Sequence, residues 1–334
     1  MKLSIIIINY KTAGLVMDCI SSVYNFPTES IEIILVDNNS DDNIQALLQN
    51  DFPSVKFIQM GYNAGFARGN NAGIRAAAGE MVLLLNSDTI VVDNAVNNAK
   101  DNLLASAGYA GCGVQLLNSD GTPQISGNYV MKGGINHLLP LPYIGKILKF
   151  IAGIFKIEKP NVPEATGKVD VDWINGAFLM VKQSAIKSAG LLDEDFFLYA
   201  EEAEWCSRLK KTGKLCIYGS EHVIHLQGET SNEAFGSSGK GYFNLFDRKG
   251  LQIMLSNFVR MRKQFGVGWY LFNLCFYFFT IPFFLVCFLL DNLVTFGKSR
   301  YSFKQWTGFT KNVFILLSYT FCIIRNKPYF YKVL

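Results

Sequence analysis

Acidic residues almost vanish from this 334-residue chain beyond residue 240. Of its 31 Lys+Arg and 27 Asp+Glu, 12 basic and only 2 acidic residues lie there, leaving 19 basic and 25 acidic before it. The split excludes a uniform polyanion binder and turns the basic tail toward an anionic surface. Histidine is also scarce, with three in all. Seven cysteines, an odd number, are scattered without a C-x-x-C pair. They read as reduced core residues and favour a reducing compartment. Neither G-x-G-x-x-G nor G-x-x-x-x-G-K-[ST] occurs, so the phosphate loops of dinucleotide-dependent oxidoreductases and P-loop NTPases are missing. The first apolar run, Leu3 to Ile8, is too short for a signal-peptide core and reads as a strand.

What is present alternates. Leu3–Ile8, Ile31–Val36 and Val55–Ile58 are β-branched runs of strand length. Between them Leu15, Cys19, Ile20 and Val23, then Ile44, Leu47 and Leu48, fall at helical spacing. Strand, helix, strand, helix, strand predicts a parallel sheet with right-handed crossovers. Met81 to Leu85, apolar on both faces, predicts a central strand that ends at Asn86-Ser87-Asp88. A carboxylate beyond that end is placed to hold a cation, although Asn, Ser and Asp are also the commonest turn residues. In Asn63–Ile74, glycines 65, 69 and 73 stack on one helical face for close approach to a strand or ligand. Arg68 lies on another face, either solvated or meeting a phosphate or base.

Further on, Val169–Val181 reads as a strand interrupted at Asn175-Gly176. Trp173 just before the break suits either the apolar face of a sugar or the core. Between Asp193 and Glu204 six carboxylates are interleaved with aromatics. Glu201 and Glu202 near a helix N-terminus are explained by dipole compensation, or by burial that fits a carboxyl to general-base work. His222 and His225 lie on a last strand, on positions read as pointing the same way, and mark one candidate metal ligand.

In order along the chain, Ser4–Thr12, Val36–Ser40, Asn63–Ile74, Leu85–Asp88, Trp173–Phe178, Phe196–Leu209 and Val223–His225 resemble the family-2 glycosyltransferases of GT-A fold, especially the bacterial rhamnosyltransferase-like branch. The resemblance covers roughly residues 3–235. It implies an α/β catalytic domain over 1–240, a mixed and mainly parallel sheet flanked by helices, followed by a hydrophobic helical region over 241–334. It implies an inverting, metal-dependent transfer from a UDP- or dTDP-sugar, dTDP-rhamnose among them, to a glycan or lipid-linked acceptor in cell-surface polysaccharide synthesis. Asn86-Ser87-Asp88 stands in for the D-x-D motif with Asn in place of its first acid. Asp88 and His225 would then hold Mg²⁺ or Mn²⁺. Asn9, Tyr10, Asp37, Asn39, Arg68, Asn71 and Ser87 would contact the donor, and Trp173, Asn175 and Gly176 the acceptor. Glu202, or its neighbour Glu201, would be the base. A sugar nucleotidyltransferase would carry a G-x-G-[ST]-R loop where Asn9-Tyr10-Lys11-Thr12 stands, and a non-catalytic carbohydrate binder would not need Asp88, Glu202 and His225 together.

Two stretches suit a membrane. Gln264 to Leu290 carries no charge and is rich in Phe, long enough to span, yet Pro282 and Asn273 interrupt it. Lys and Arg flank it and the shorter run Asn312–Ile324 on every side, which favours helices entering one leaflet or a shallow hairpin, with one or two spans as the alternative. The expected place is the cytoplasmic face of the inner membrane, peripheral or monotopic. Leu138–Lys159 reads as a basic amphipathic helix, either interfacial or a lid. Nucleic acid is not expected as a partner, since the basic tail carries no recognition motif.

Overall fold

The opening β-branched run forms β1 (Leu3–Asn9), whose Leu3, Ile5, Ile6 and Ile7 are fully buried. Burial on both faces makes it a central strand. The structure is a computed structural model that describes residues 2–27, 30–131, 134–157, 159–226, 235–237 and 244–333. After β1 come α1 (Ala13–Tyr24), β2 (Ile31–Asp37), α2 (Ile44–Asp51), β3 (Lys56–Gln59), α3 (Gly65–Ala76), β4 (Met81–Leu85), β5 (Thr89–Val91), α4 (Ala95–Ala105) and β6 (Tyr109–Leu117). The chain continues through β7 (Gly127–Asn128), α5 (Ile144–Ile154), β8 (Asn161–Val162), β9 (Lys168–Val171), β10 (Trp173–Ile174), β11 (Phe178–Lys182), α6 (Gln183–Ala189), α7 (Glu201–Leu209) and β12 (Lys214–His225). Last are α8 (Arg248–Val294), α9 (Phe303–Ser318) and α10 (Thr320–Arg325).

The chain separates into two compact units. One comprises residues 1–131, 160–197 and 201–227, and the other residues 132–159, 198–200 and 228–334. The second unit thus groups residues from the middle of the chain with the C-terminal helices.

In the first unit the strands form one mixed sheet in the order β3-β2-β1-β4-β11-β6-β12-β5. The expected parallel character belongs to β3, β2, β1 and β4, whose neighbours all run the same way. β11 then enters antiparallel between β4 and β6. The long β12 runs parallel to β6, and its other edge is shared by β9 at Leu215–Tyr218 and β5 at Val223–His225. A bulge between Tyr218 and His222 allows one strand to serve both partners. β7, β8 and β10 make a small second sheet.

The glycines of α3 are needed for close packing. A Cβ on Gly73 would lie 2.5 Å from Cγ2 of Ile6, and one on Gly69 would lie 3.2 Å from Cδ1 of Ile8. Gly65 has φ +70°, and a Cβ there would fall 2.1 Å from the carbonyl oxygen of Phe197. Side chains at these positions would push α3 off β1 and off the segment that leads into α7.

In the second unit, α8 is broken at Gly266 (φ 86°), and Pro282 sits inside its apolar half. That half is patterned in reverse of a water-soluble helix. Tyr270, Asn273, Leu274, Tyr277, Thr280 and Phe284 make the buried face. Phe272, Phe276, Phe279, Leu289, Leu290 and Leu293 are exposed. The buried polar groups are joined inside the unit: Tyr270 Oη donates to Thr320 Oγ1 at 3.0 Å, Tyr277 Oη to the His137 carbonyl at 3.1 Å, and Trp306 Nε1 to the Ile281 carbonyl at 3.0 Å. Asn312 Nδ2 reaches the carbonyls of Leu245 and Asp247. Cys275, Cys287 and Cys322 lie on these helices outside the core, whereas Cys19, Cys112, Cys206 and Cys216 are buried.

Replacing Gly73 with Ala presses a methyl group into the buried, β-branched Ile6 and is expected to destabilise by about 1–3 kcal/mol. Gly14→Ala on α1, where nothing lies within 4 Å, is expected to stabilise by roughly 0.5–1 kcal/mol by removing unfolded-chain freedom. Thermal unfolding of the two variants checks the contrast, and equal midpoints would show that α3 does not need its glycines.

Candidate active site

Three local arrangements meet at the carboxyl ends of β1, β2 and β4, where ligands bind in open α/β sheets. The first is built on Asn9, fully buried at the end of β1. Its Nδ2 faces Asp37 Oδ1 at 2.8 Å, Ser40 Oγ at 3.0 Å and the Asp42 carboxylate at 3.0 Å. Its Oδ1 accepts from the backbone N and the hydroxyl of Thr12. Asp37 also accepts from Ser40 N and from Gln59 Nε2 at 2.9 Å. Three protein donors leave about one of a carboxylate's four acceptor positions for another group. Asn39 beside it is exposed and held at φ 60°, and Tyr10 is half-buried under the Lys11 ammonium. Thr12 Oγ1 lies 3.3 Å from Ser87 Oγ, which joins this cluster to the loop after β4.

The second arrangement is the Asp88–His225 pair. Antiparallel pairing sets Thr89 opposite His225, and Leu226 N donates to the Asp88 carbonyl at 2.9 Å. Asp88 Oδ1 then stands 3.4 Å from His225 Nε2, with Asn86 Nδ2 at 3.5 Å from the same nitrogen. The other ring nitrogen is fixed by Gln124. Gln124 Nε2 donates to the carbonyl oxygens of His225 at 2.6 Å and Leu117 at 3.3 Å and to Asn118 Oδ1. Backbone carbonyls only accept, so the amide cannot be reversed and its Oε1, 3.0 Å from His225 Nδ1, must accept. The neutral ring therefore carries its proton on Nδ1 and aims the Nε2 lone pair at the Asp88 carboxylate. Two electron-pair donors converging at this distance suit a cation between them, with the outer hydrogen bond that oriented metal-ligating histidines show. Among the described residues no third His, Cys, Asp or Glu completes a metal cluster.

His222 is not part of this site. Three residues from His225, it falls on the opposite face of a strand whose side chains alternate, and it pairs with Gln115 on β6. The expectation that both histidines point the same way is corrected by that odd spacing.

The third arrangement joins the Asn175-Gly176 turn to α7. Asn86 N donates to the Ala177 carbonyl, which brings the turn against the loop carrying Asp88. A Cβ on Gly176 would be 3.7 Å from Cβ and Cγ of Glu202. Glu201 and Glu202 are both buried, in the first turn of α7. Tyr199 and Ala200 just before them hold φ of 73° and 69°. Two successive non-glycine residues in the left-handed region are strained, a feature that collects at functional sites. The indole N–H of Trp173 is buried and has no hydrogen-bond partner among the described residues.

Other expected site residues have structural work. Asn175 Oδ1 accepts from Ala177 N and so builds the turn. Asn71, fully buried, exchanges hydrogen bonds with Leu192 and reaches Glu194, while Arg68 Nε donates to the Glu194 carbonyl. Both hold the segment before α7 against α3. Of the six clustered carboxylates, Glu204 forms a two-pronged pair with Arg208. Glu194 is partly desolvated, yet Arg75 at 2.6 Å and Asn71 hold it below the ordinary carboxylate range. Gln124, Thr12 and Asp42 were not foreseen. Gln124 follows an Asp120-Gly121 turn in a stretch without periodicity, and no sequence signal marks it.

Residues 4–143 match the family described as Glycosyl transferase family 2. The low-salt glycan biosynthesis hexosyltransferase Agl10 of Haloferax volcanii is 28% identical over 63% of this chain and 62% of its own length. The N-acetylglucosaminyl-diphospho-decaprenol L-rhamnosyltransferase of Mycobacterium tuberculosis is 25% identical over 58% of this chain and 66% of its own. The chain thus spans just under two thirds of each of these relatives. Among solved structures, GalNAc-T7 with UDP, GalNAc and Mn²⁺ superposes with a TM-score of 0.52 at 14% identity, over 79% of this chain and 51% of that one. At that identity the likeness is one of fold.

Gln124→Leu is expected to release the His225 ring. Nitrogen-15 spectra of the labelled protein should show one tautomer, with the proton on Nδ1, in the wild type and a mixture in the variant. Gln124→Glu keeps an acceptor for Nδ1–H but sets a second oxygen against the carbonyls of His225 and Leu117, and is not expected to restore the single form. A wild-type ring already divided between tautomers would contradict the assignment.

Proposed function

We propose, from the match of residues 4–143 to the family 2 glycosyltransferases, that the chain transfers a sugar, with inversion, from a UDP- or dTDP-sugar to a glycan or lipid-linked acceptor. The observation that carries the reading is the Asp88–His225 pair, its imidazole lone pair held toward the carboxylate by Gln124. Asp88 and His225 would hold Mg²⁺ or Mn²⁺ together with the donor's diphosphate. The bound ion supplies Lewis-acid neutralisation of charge on the leaving nucleoside diphosphate. The superposed GalNAc-T7 was crystallised with UDP and Mn²⁺, which supports this class of donor and ion.

The remaining roles fall to side chains already in place. Asp37, with one acceptor position left, would take N3–H of uracil or thymine, which favours UDP or dTDP. Asn9 and Ser40 fix that carboxylate, and Ser87, Tyr10 and Asn39 line the approach to it. Arg68 and Asn71 act on the donor through the segment they pin. Glu202 takes the proton of the acceptor hydroxyl as its oxygen bonds to the anomeric carbon, while the bond from that carbon to the phosphate oxygen breaks and its electron pair leaves with the nucleotide. Gly176 beside Glu202 leaves room for the acceptor, and the unpartnered N–H of Trp173 is ready to donate to one of its oxygens. A relative whose name specifies a decaprenol-linked substrate and rhamnose transfer supports a lipid-linked acceptor and rhamnose as a candidate sugar, with dTDP-rhamnose as the donor we propose.

The C-terminal helices fit that acceptor. The exposed aromatic face of α8 would enter one leaflet at the cytoplasmic face, with Arg262, Lys298, Arg300 and Lys304 at the headgroups. The enzyme would be monotopic.

Thermal shift with Mn²⁺ across a panel of nucleotide sugars tests the donor, and stabilisation by a UDP- or dTDP-sugar alone is expected. Glu202→Gln should keep that shift and lose turnover by roughly two to four orders of magnitude. If Glu201→Gln shows the loss instead, the base is its neighbour, and if no nucleotide sugar shifts the wild type the reading fails.

A further inference from the structure

The helix α5 carries a surface that the transfer reaction does not use. Ile147, Phe150, Ile151 and Ile154 recur at intervals of three and four, a stripe roughly 100° wide, and all four are exposed. Phe155 and Ile157 extend the stripe past the helix end, at 72% and 66% exposure. Phe150 is 71% exposed. An apolar stripe this open to water marks an interaction site. Lys146, Lys149 and Lys156 are exposed beside it, and from Asn136 to Lys159 the sequence carries four lysines and a single acid, Glu158.

The position of α5 is set from within its own unit. Tyr143, at φ 59° ahead of the first turn, donates its hydroxyl to Asp291 Oδ2 at 3.1 Å, and Arg300 N donates to the same oxygen. The Tyr143 ring packs edge-on against Phe284 and Tyr301. A Cβ on Gly145 would meet the Leu139 carbonyl at 2.0 Å, which fixes how the helix leaves the preceding turn. Asp291 is the only acidic residue after Asp247. The one carboxylate of the C-terminal helices thus ties α5 to the end of α8, whose neighbouring Leu289, Leu290 and Leu293 are also exposed.

We propose that α5 is an interfacial helix that lies in the headgroup region of an anionic bilayer, its Ile147–Ile157 stripe in the acyl boundary and its lysines on the phosphates. Charge decides the occupant. Apolar side chains next to lysines that can extend to the interface, with basic residues outnumbering the one acid in the stretch, suit an anionic lipid surface. A second copy would have to bring the same lysines against each other. The proposal rests on reading this chain as a membrane-surface enzyme, and extends the contact beyond the C-terminal helices.

The test uses the full chain on phosphatidylcholine vesicles with and without phosphatidylglycerol. Single cysteines at Phe150, Lys149 or Leu289, in a background with Cys275, Cys287 and Cys322 changed to Ser, carry a bimane label. Quenching by lipids brominated in the acyl chain is read at each. On phosphatidylglycerol vesicles, Phe150→Cys and Leu289→Cys are expected to be quenched severalfold more than Lys149→Cys. Exchanging Lys146, Lys149 and Lys156 for Glu should lower quenching at 150 and leave that at 289. If 289 is quenched while 150 matches 149, the C-terminal helices enter the bilayer and the α5 proposal is overturned. If neither is quenched, the membrane reading falls with it. Disulfide-linked dimers of Phe150→Cys in place of quenching would assign the stripe to a second copy, protection at 150 only on adding UDP would make it a lid, and quenching indifferent to the Glu exchanges would overturn the choice of anionic lipid.

Discussion

The Asp88–His225 pair depends on a three-residue strand. β5 is held against the end of β12 by Val91–Val223, Ile90–Ile224 and Thr89–His225. Because side chains alternate along a strand, a slip of one residue would turn His225 away from Asp88. The bulge after Tyr218 keeps β12 in register with β6 on one side while β5 sets it on the other. Gln124 then fixes the ring, and its own amide is fixed by carbonyls that can only accept. A reactive geometry is thus traced back to backbone pairing, one hydrogen bond at a time.

Polarity in the two units is arranged in opposite ways. The sheet unit buries Leu, Ile and Val around its strands and gathers carboxylates and amides at the strand ends. The helical unit buries Tyr270, Asn273, Tyr277, Thr280 and Asn312 and exposes Phe and Leu. In water that second arrangement forfeits hydrophobic burial, at about 25 cal/mol for each Å² of apolar surface left wet. In contact with acyl chains the same surface has no such penalty, and Tyr270, Tyr277, Thr280 and Asn312 keep hydrogen-bond partners inside the unit.

The sheet order at the N-terminal half was legible because its strands are β-branched runs separated by helical stripes, and each physical cue agrees with its neighbours. The glycines of α3 were legible as a packing face, although spacing alone could not say that Ile6 and Ile8 are what they meet. Asp88 with His225 was legible only through resemblance to a family, since the two lie 137 residues apart and periodicity says nothing about which edges pair. Periodicity did contain the correction to His222, because a separation of three inverts the face. Gln124 was hidden by its context, an irregular turn where one amide looks like any other. Tyr143 meets Asp291 across 148 positions, a contact that no local pattern encodes.

Divalent-ion binding in the presence of UDP, followed by isothermal titration calorimetry on the full chain, tests the central claim that Asp88 and His225 form one cation site. The wild type should bind Mn²⁺ at a single site. Asp88→Asn and His225→Ala should each weaken it at least about tenfold, or roughly 1.4 kcal/mol, with the double variant no weaker than the sum of the two. Undiminished Mn²⁺ binding in both single variants would contradict it.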